Sequence, residues 1–235
     1  NQKKKNLMKV IKTSTSNVDN WKVGEKKIYN LKKAFFSILP FEFKMNNKKW
    51  YQPLIIQKEV GILGILKKKI KGEDYYLLQA KVEPGNSNGI QLSPTIQATK
   101  SNYLRKHGGK KTPFLNYFLK KQKKLKIISK IKLSEQGSRF LKKKNWNILL
   151  ETNKLNIPLK KNYCWLTKEN IRYLINKRNM LNMDAISVLS SAIQKNLSEN
   201  KLNSNYDIKN MLNQFDKKMN FSRNIITFND LKDWK

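Results

Sequence analysis

Only one cysteine, Cys164, and one histidine, His107, occur in 235 residues. That scarcity rules out an internal disulfide and a Cys-rich zinc site, and it argues against any structural metal. Cys164, beside Trp165, reads as a small, half-buried residue. Arginine is almost as scarce, since 45 of the 50 cations are lysine. Base-reading surfaces favour the bidentate arginine fork, so the net charge of +34, whose first reading is a polyanion partner, does not point to nucleic acid. With asparagine and isoleucine also abundant, the charge fits codon bias towards lysine at permissive surface positions, and runs such as Lys67–Lys69 and Lys142–Lys144 read as solvated faces. No apolar run approaches the length that spans a bilayer, and Asn1–Asn6 lack the apolar core of a secretory signal. The expectation is a cytoplasmic protein with no membrane partner.

What is present suffices for a packed interior: 39% hydrophobic residues, including ten Phe, nine Tyr and five Trp. We expect a basic arm over 1–24, one module over 25–195 and a helical tail over 196–235. Ile28–Tyr29 and Ala34–Leu39 read as a hairpin. Val60–Leu66, with Gly61 and Gly64 three apart, reads as a strand with close backbone approach or a bulge, and not as a helix. Thr112–Pro113 reads as the start of a helix. Thr167 can cap a second helix, and Asn182 or Asp184 can open a third with Ile186, Leu189 and Ile193 on its apolar face.

The most informative stretch is Gly72–Thr99, whose one cation is Lys81. From Tyr75 to Glu83, alternate residues end in Gln79, Lys81 and Glu83 on one face, with Tyr76, Leu78, Ala80 and Val82 on the other. After the turn-rich Pro84–Gly89, the pattern returns as Gln91, Ser93, Thr95, Gln97 and Thr99 against Leu92, Pro94, Ile96 and Ala98. Two such strands are either a hairpin with a solvated face or one wall of a cavity. Solvated faces in this chain should be rich in lysine and these are not, so a cavity suited to a hydroxylated ligand is the sharper reading.

The motifs QAKVEPGN (Gln79–Asn86) and QLSPTIQATKSNY (Gln91–Tyr103) follow one another in this stretch. With the run from Trp50 through Gln57 to Gly64, Pro113–Leu115, the loop Ser134–Phe140, Trp165–Thr167 and Leu181–Asp184, they resemble the NDP-hexose 2,3-dehydratases over roughly residues 26–192. The resemblance implies an α+β, Nudix-like module with a mixed or antiparallel sheet flanked by helices. The module would bind a nucleotide-diphospho-sugar without being a pyrophosphatase, and no glutamate-rich helix of the magnesium-binding kind is found. It implies loss of water across C2 and C3 of an NDP-4-keto-6-deoxyhexose, with no cofactor and no metal. Family members carry two such modules and this sequence shows one, which suggests a homodimer.

Within that reading, Glu83 is the first candidate for an acid/base group, its alternative role being to brace the following turn. Lys81 either polarises the C4 oxygen or binds phosphate, or else pairs with Glu83. His107 titrates near neutral pH but equally suits a surface loop. Tyr103 is a stacking or proton-donating residue, or a core tyrosine. Arg105 and Arg139 are candidates for the diphosphate or for surface ion pairs. Gln57, Gln79, Asn86, Gln91, Ser93, Thr95, Gln97 and Asn102 are candidate substrate contacts. Two rival functions stand beside this one: a nucleotide-sugar-binding module without catalysis, and a basic nucleic-acid-binding protein, which should interleave arginine and aromatics with lysine on the polar strands.

Overall fold

The structure is a computed structural model that describes residues 8–32, 35–87, 89–105, 111–119, 125–197 and 208–232. His107 lies outside the described residues. The first strands are β1 (Trp21–Val23), β2 (Ile28–Asn30), β3 (Ser37–Met45) and β4 (Lys48–Ile56). They are followed by β5 (Gly61–Ile70), β6 (Glu73–Val82), β7 (Ile90–Ser93), β8 (Ile96–Ala98), α1 (Lys100–Tyr103) and α2 (Leu115–Leu119). Then come β9 (Leu125–Ser134), β10 (Lys144–Thr152), β11 (Tyr163–Thr167), α3 (Lys168–Ile175), α4 (Met183–Leu197), α5 (Ile208–Lys218) and β12 (Phe221–Ile225). Contacts divide the chain into two compact units, one of residues 1–12, 59–133 and 144–199, the other of 13–58, 134–143 and 200–235.

The second of these units is a five-stranded antiparallel sheet in which β3 carries β2, β4 and β12, and β1 pairs with β2. The expected hairpin between Ile28 and Leu39 is the β2–β3 pair. Its core is small and aromatic: Phe41, Phe43 and Leu54 are buried, and Phe43 stacks on Trp50 with ring centroids 5.3 Å apart. The last forty residues, read as a helical tail, contribute both α5 and β12, whose Phe221–Ile225 pairs with Phe41–Met45.

The other unit is built on a seven-stranded mixed sheet, and helices pack on it, so the expected α+β class is the one observed. β5 lies at its centre, antiparallel to β6 and parallel to β10. Lys71 and Gly72, both at positive φ (47° and 84°), form the two-residue turn between β5 and β6. Alternation along β5 and β6 sends side chains to two cores. Leu66, Leu77, Ile96 and Tyr163 pack on one face, while Ile65, Leu78, Ile171 and Val188 pack on the other beside α3 and α4. The β5 glycines are closely approached, but by side chains more than by backbone: a Cβ on Gly64 would collide with the Phe118 ring, and one on Gly61 would fall 2.6 Å from Asn145 Oδ1.

Four sequence expectations need correction. Lys67, Lys68 and Lys143, expected on solvated faces, are buried. The second polar strand is not continuous, because it breaks at Pro94, which lacks the N–H a ladder needs. β7 pairs with β6, but β8 crosses to β5. Helix α2 starts at Leu115 and not at Pro113, because Phe114 takes a left-handed φ of 59° and sets its ring edge-on to Tyr163 at 4.9 Å. On α4 the buried line is Ala185, Val188 and Ser191; of the expected face Leu189 packs on the core, Ile186 is exposed, and the Ile193 side chain lies outside the described residues. Thr167 does cap α3, in a reciprocal capping box with Asn170, and Asn182 opens α4 by accepting the Ala185 N–H at 2.9 Å.

Candidate active site

The break at Pro94 creates the site. β5 and β6 are paired from Leu66 and Leu77 towards their turn, but in the other direction β6 joins β7 and β5 joins β8, so the strands fork. Thr95 sits in the fork, fully buried, its hydroxyl accepting the Leu66 N–H at 2.9 Å and donating to the Leu77 carbonyl. The fork and the chain after it enclose a cleft of about 330 Å³. Gln79 and Lys81 come from β6, Gln97 from β8, and Asn102 and Arg105 from α1 and its end. Lys111, Thr112, Pro113 and Tyr163 complete the wall.

Beside the cleft, one carboxylate is bonded to two of its lining residues through a short chain of polar groups. Glu83 Oε1 accepts from Lys81 Nζ at 2.9 Å and from Gln97 Nε2 at 3.1 Å, and Gln97 Oε1 accepts from Asn182 Nδ2 at 3.2 Å. About a third of each of the Lys81 and Glu83 side chains is open to solvent, so the pair is reachable by a ligand. Glu83 Oε2 has no partner among the described residues. The alternatives left open by the sequence are thereby narrowed. The turn after Glu83 is held by its backbone carbonyl, which accepts the Asn86 N–H, and by the Asn86 side chain donating to Gly89 O; the Glu83 carboxylate plays no part in it.

Arg105 ends α1 with φ 54°, a left-handed conformation that costs a non-glycine residue roughly 1 kcal/mol. The N-terminus of α1 is fixed by Glu59, whose Oε2 accepts from the Ser101 N–H and hydroxyl at 3.0 and 2.8 Å. Neither Arg105 nor Lys111 is in an ion pair among the described residues, so both guanidinium and ammonium are available to an anionic ligand. Tyr163 is buried, its phenol donates to Thr95 O at 3.2 Å, and burial pushes its pKa up to about 12.

Six expected residues thus line one cleft: Gln79, Lys81, Thr95, Gln97, Asn102 and Arg105, with Glu83 bonded to two of them. The others fall elsewhere. Ser93 is fully buried and donates to Gln79 O; Gln91 pairs with Lys81 across β6 and β7; Asn86 is spent on its turn; and Tyr103 packs against the apolar core. Gln57 and Arg139 belong to the other compact unit. Sequence reasoning missed Lys111, Thr112 and Tyr163 as cleft residues, and Asn182 as part of the polar chain. The only route to Tyr163 would have been strand register, since β11 sets it opposite Gln79. Among the described residues no group of three or more His, Cys, Asp or Glu side chains could hold a metal ion, and no helix is long and apolar enough to cross a membrane.

Comparison with known proteins decides the family. The family model for NDP-hexose 2,3-dehydratase matches residues 1–192. The chain belongs to the NDP-hexose 2,3-dehydratase family. It is 45% identical over 141 residues to a dTDP-4-dehydro-6-deoxy-alpha-D-glucopyranose 2,3-dehydratase of Saccharopolyspora spinosa, a match covering 60% of this chain and 29% of that protein. To its counterpart in Amycolatopsis orientalis it is 46% identical over 143 residues, covering 61% and 30%. The chain therefore spans under a third of the length of these two NDP-hexose 2,3-dehydratases. Among solved structures it is similar to a Nudix hydrolase from M. smegmatis, at 9% identity and a TM-score of 0.38, over 69% of this chain and 99% of that one.

Proposed function

We propose that the chain binds an NDP-4-keto-6-deoxyhexose, a dTDP sugar by analogy with the named relatives, and removes water across C2 and C3. The observation that carries this is the Glu83 carboxylate at the edge of the cleft, with one oxygen held by the lining residues Lys81 and Gln97 and the other without a described partner. In this reading Glu83 Oε2 takes the C3 proton, made acidic by the C4 ketone. The C2–O bond breaks, and the Lys81 ammonium supplies the proton with which the hydroxyl leaves as water. The C2=C3 enol, protonated at C2, becomes a 3,4-diketo-2,6-dideoxy sugar. In this reading amide donors from Gln79, Gln97 and Asn102, which line the cleft, steady the developing enolate.

Arg105 and Lys111 would face the diphosphate. A second cleft of about 500 Å³, bordered by Phe114, Tyr117, Ile157, Pro158 and Lys160, shares Lys111, Thr112 and Pro113 with the first. Its apolar and aromatic wall suits the nucleoside, so sugar and base would lie on either side of the Lys111–Pro113 segment. The reading is tested by incubating the protein with dTDP-4-keto-6-deoxyglucose in heavy water and following product mass. Loss of one water with solvent deuterium at C2 supports it. Binding with unchanged mass would leave the non-catalytic sugar-binding module in its place.

We also propose a cytoplasmic homodimer burying more than about 1,000 Å². What supports a second copy is the exposed apolar surface of Leu212, Phe215 and Phe221 on α5 and β12. Sedimentation at micromolar concentration should give twice the 27.7 kDa chain mass, and a fully active monomer would refute it.

A further inference from the structure

We propose that Asn182 is a positioning residue for Glu83, acting through the Gln97 amide; this rests on the reading of Glu83 as the group that takes the substrate proton. Oxygen and nitrogen of a side-chain amide are told apart by their partners. For Asn182 the partner is unambiguous, because the Ala185 backbone can only donate, so the atom it meets at 2.9 Å must be Oδ1. Nδ2 is then the atom facing Gln97 at 3.2 Å, and the Gln97 atom it meets must be the acceptor, Oε1. Gln97 is left with its NH₂ towards Glu83, which it reaches at 3.1 Å. One backbone N–H in the first turn of α4 therefore sets the direction of two amides and brings a donor, not an acceptor, to the carboxylate. Were Gln97 free to turn over, it would set a carbonyl oxygen against Glu83 Oε1.

Asn182 is itself firmly placed. It is buried, its N–H donates to Leu92 O at 2.9 Å, and Leu92 N–H donates to Met180 O at 2.8 Å, pinning 180–182 to β7 as a parallel bridge. β7 in turn pairs with the stretch of β6 that carries Lys81. The helix cap, the β6–β7 pair and the Glu83 carboxylate are thus one connected polar structure, and the cap has a task besides starting a helix.

Substitution separates the two tasks. Serine caps a helix about as well as asparagine but is too short to reach Gln97. Asn182→Ser should keep the melting temperature and KM, and lower kcat about tenfold, because Gln97 loses the partner that keeps its donor on Glu83 Oε1 and the carboxylate loses the hydrogen bond that orients it. Asn182→Ala, which loses both tasks, should lower the melting temperature as well. Because Asn182 acts through Gln97, the serine substitution should have no further effect on kcat once Gln97→Leu is in place. A readout independent of turnover is the Gln97 side-chain amide proton resonance, which should move in Asn182→Ser as it does in Glu83→Gln. Wild-type kcat and an unmoved Gln97 resonance in Asn182→Ser, with Glu83→Gln inactive, would show that Asn182 is only a cap and overturn the proposal. So would additive losses in the double variant. Wild-type turnover in Glu83→Gln would instead remove the assignment of Glu83 on which the proposal stands.

Discussion

Glu83 and Tyr163 are both close to the cleft, yet their surroundings suit them to different work. Glu83 keeps a third of its side chain open and has one oxygen without a described partner, which a base needs. Glu83→Gln keeps the shape and can still accept from Lys81, so turnover should fall at least about 100-fold with little change in ligand affinity, checked by steady-state kinetics beside equilibrium binding. Tyr163 is sealed, and its hydroxyl is committed to Thr95 O. Its folded pKa of about 12 lies above the ordinary value of 10.0, so the folded state holds the proton more tightly. The stability this gives is fully present below pH 10 and is lost as pH rises towards 12, on the order of 2 kcal/mol in all. An alkaline titration followed by phenolate absorbance should show one tyrosine ionising only with unfolding, and Tyr163→Phe should abolish that late step. At this scale the sequence was a good guide where side chains alternate along a strand, as for Gln79, Lys81 and Glu83. It could not say which hydroxyls would be consumed by the fold, and Ser93 and Thr95 are occupied with backbone carbonyls.

The fork between β5 and β6 is what turns two strands into a site. Alternation correctly gave β6 its polar face, but Gln91–Thr99 reads as one strand only if Pro94 is ignored. The proline ends the ladder with β6, and two residues later the chain is pairing with β5. The polar face of that stretch is thus divided, Gln91 staying beside Lys81 and Gln97 entering the cleft. Thr95 is the pivot of the crossing. Thr95→Val keeps the volume but leaves the Leu66 N–H and Leu77 carbonyl, both buried, without their partner, at about 1–3 kcal/mol for each group. Denaturant titration should show a loss of roughly 2–4 kcal/mol, and a change under 1 kcal/mol would mean that the fork does not depend on the hydroxyl. Helix starts were legible where a capping side chain fixes them, at Thr167 and Asn182. The start of α2 was not, because it follows the packing of Phe114 on Tyr163, a contact between residues far apart in sequence.

For the whole molecule the question is what a charge of +34 is for. Part of it is used inside the fold: Lys67 bridges Asp74 and Glu151, and Lys68 lies over the Trp165 ring at 4.3 Å while donating to Leu155 O. In the cleft three cations, Lys81, Arg105 and Lys111, are set beside the amides of Gln79, Gln97 and Asn102. If the charge is largely incidental and the cleft is the binding site, a dTDP sugar should raise the melting temperature at physiological salt where duplex and single-stranded DNA do not. At a hundredfold excess over Kd the gain is about 2.7 kcal/mol, or roughly 5 to 10 °C for a chain of this size. Since the chain divides into two units, separate transitions would sharpen the test: only the unit containing Gln79, Lys81 and Gln97 should gain stability from the sugar. No shift with saturating sugar, together with tight DNA binding that persists at 0.15 M salt, would mean that the lysines and not the cleft define what this protein binds.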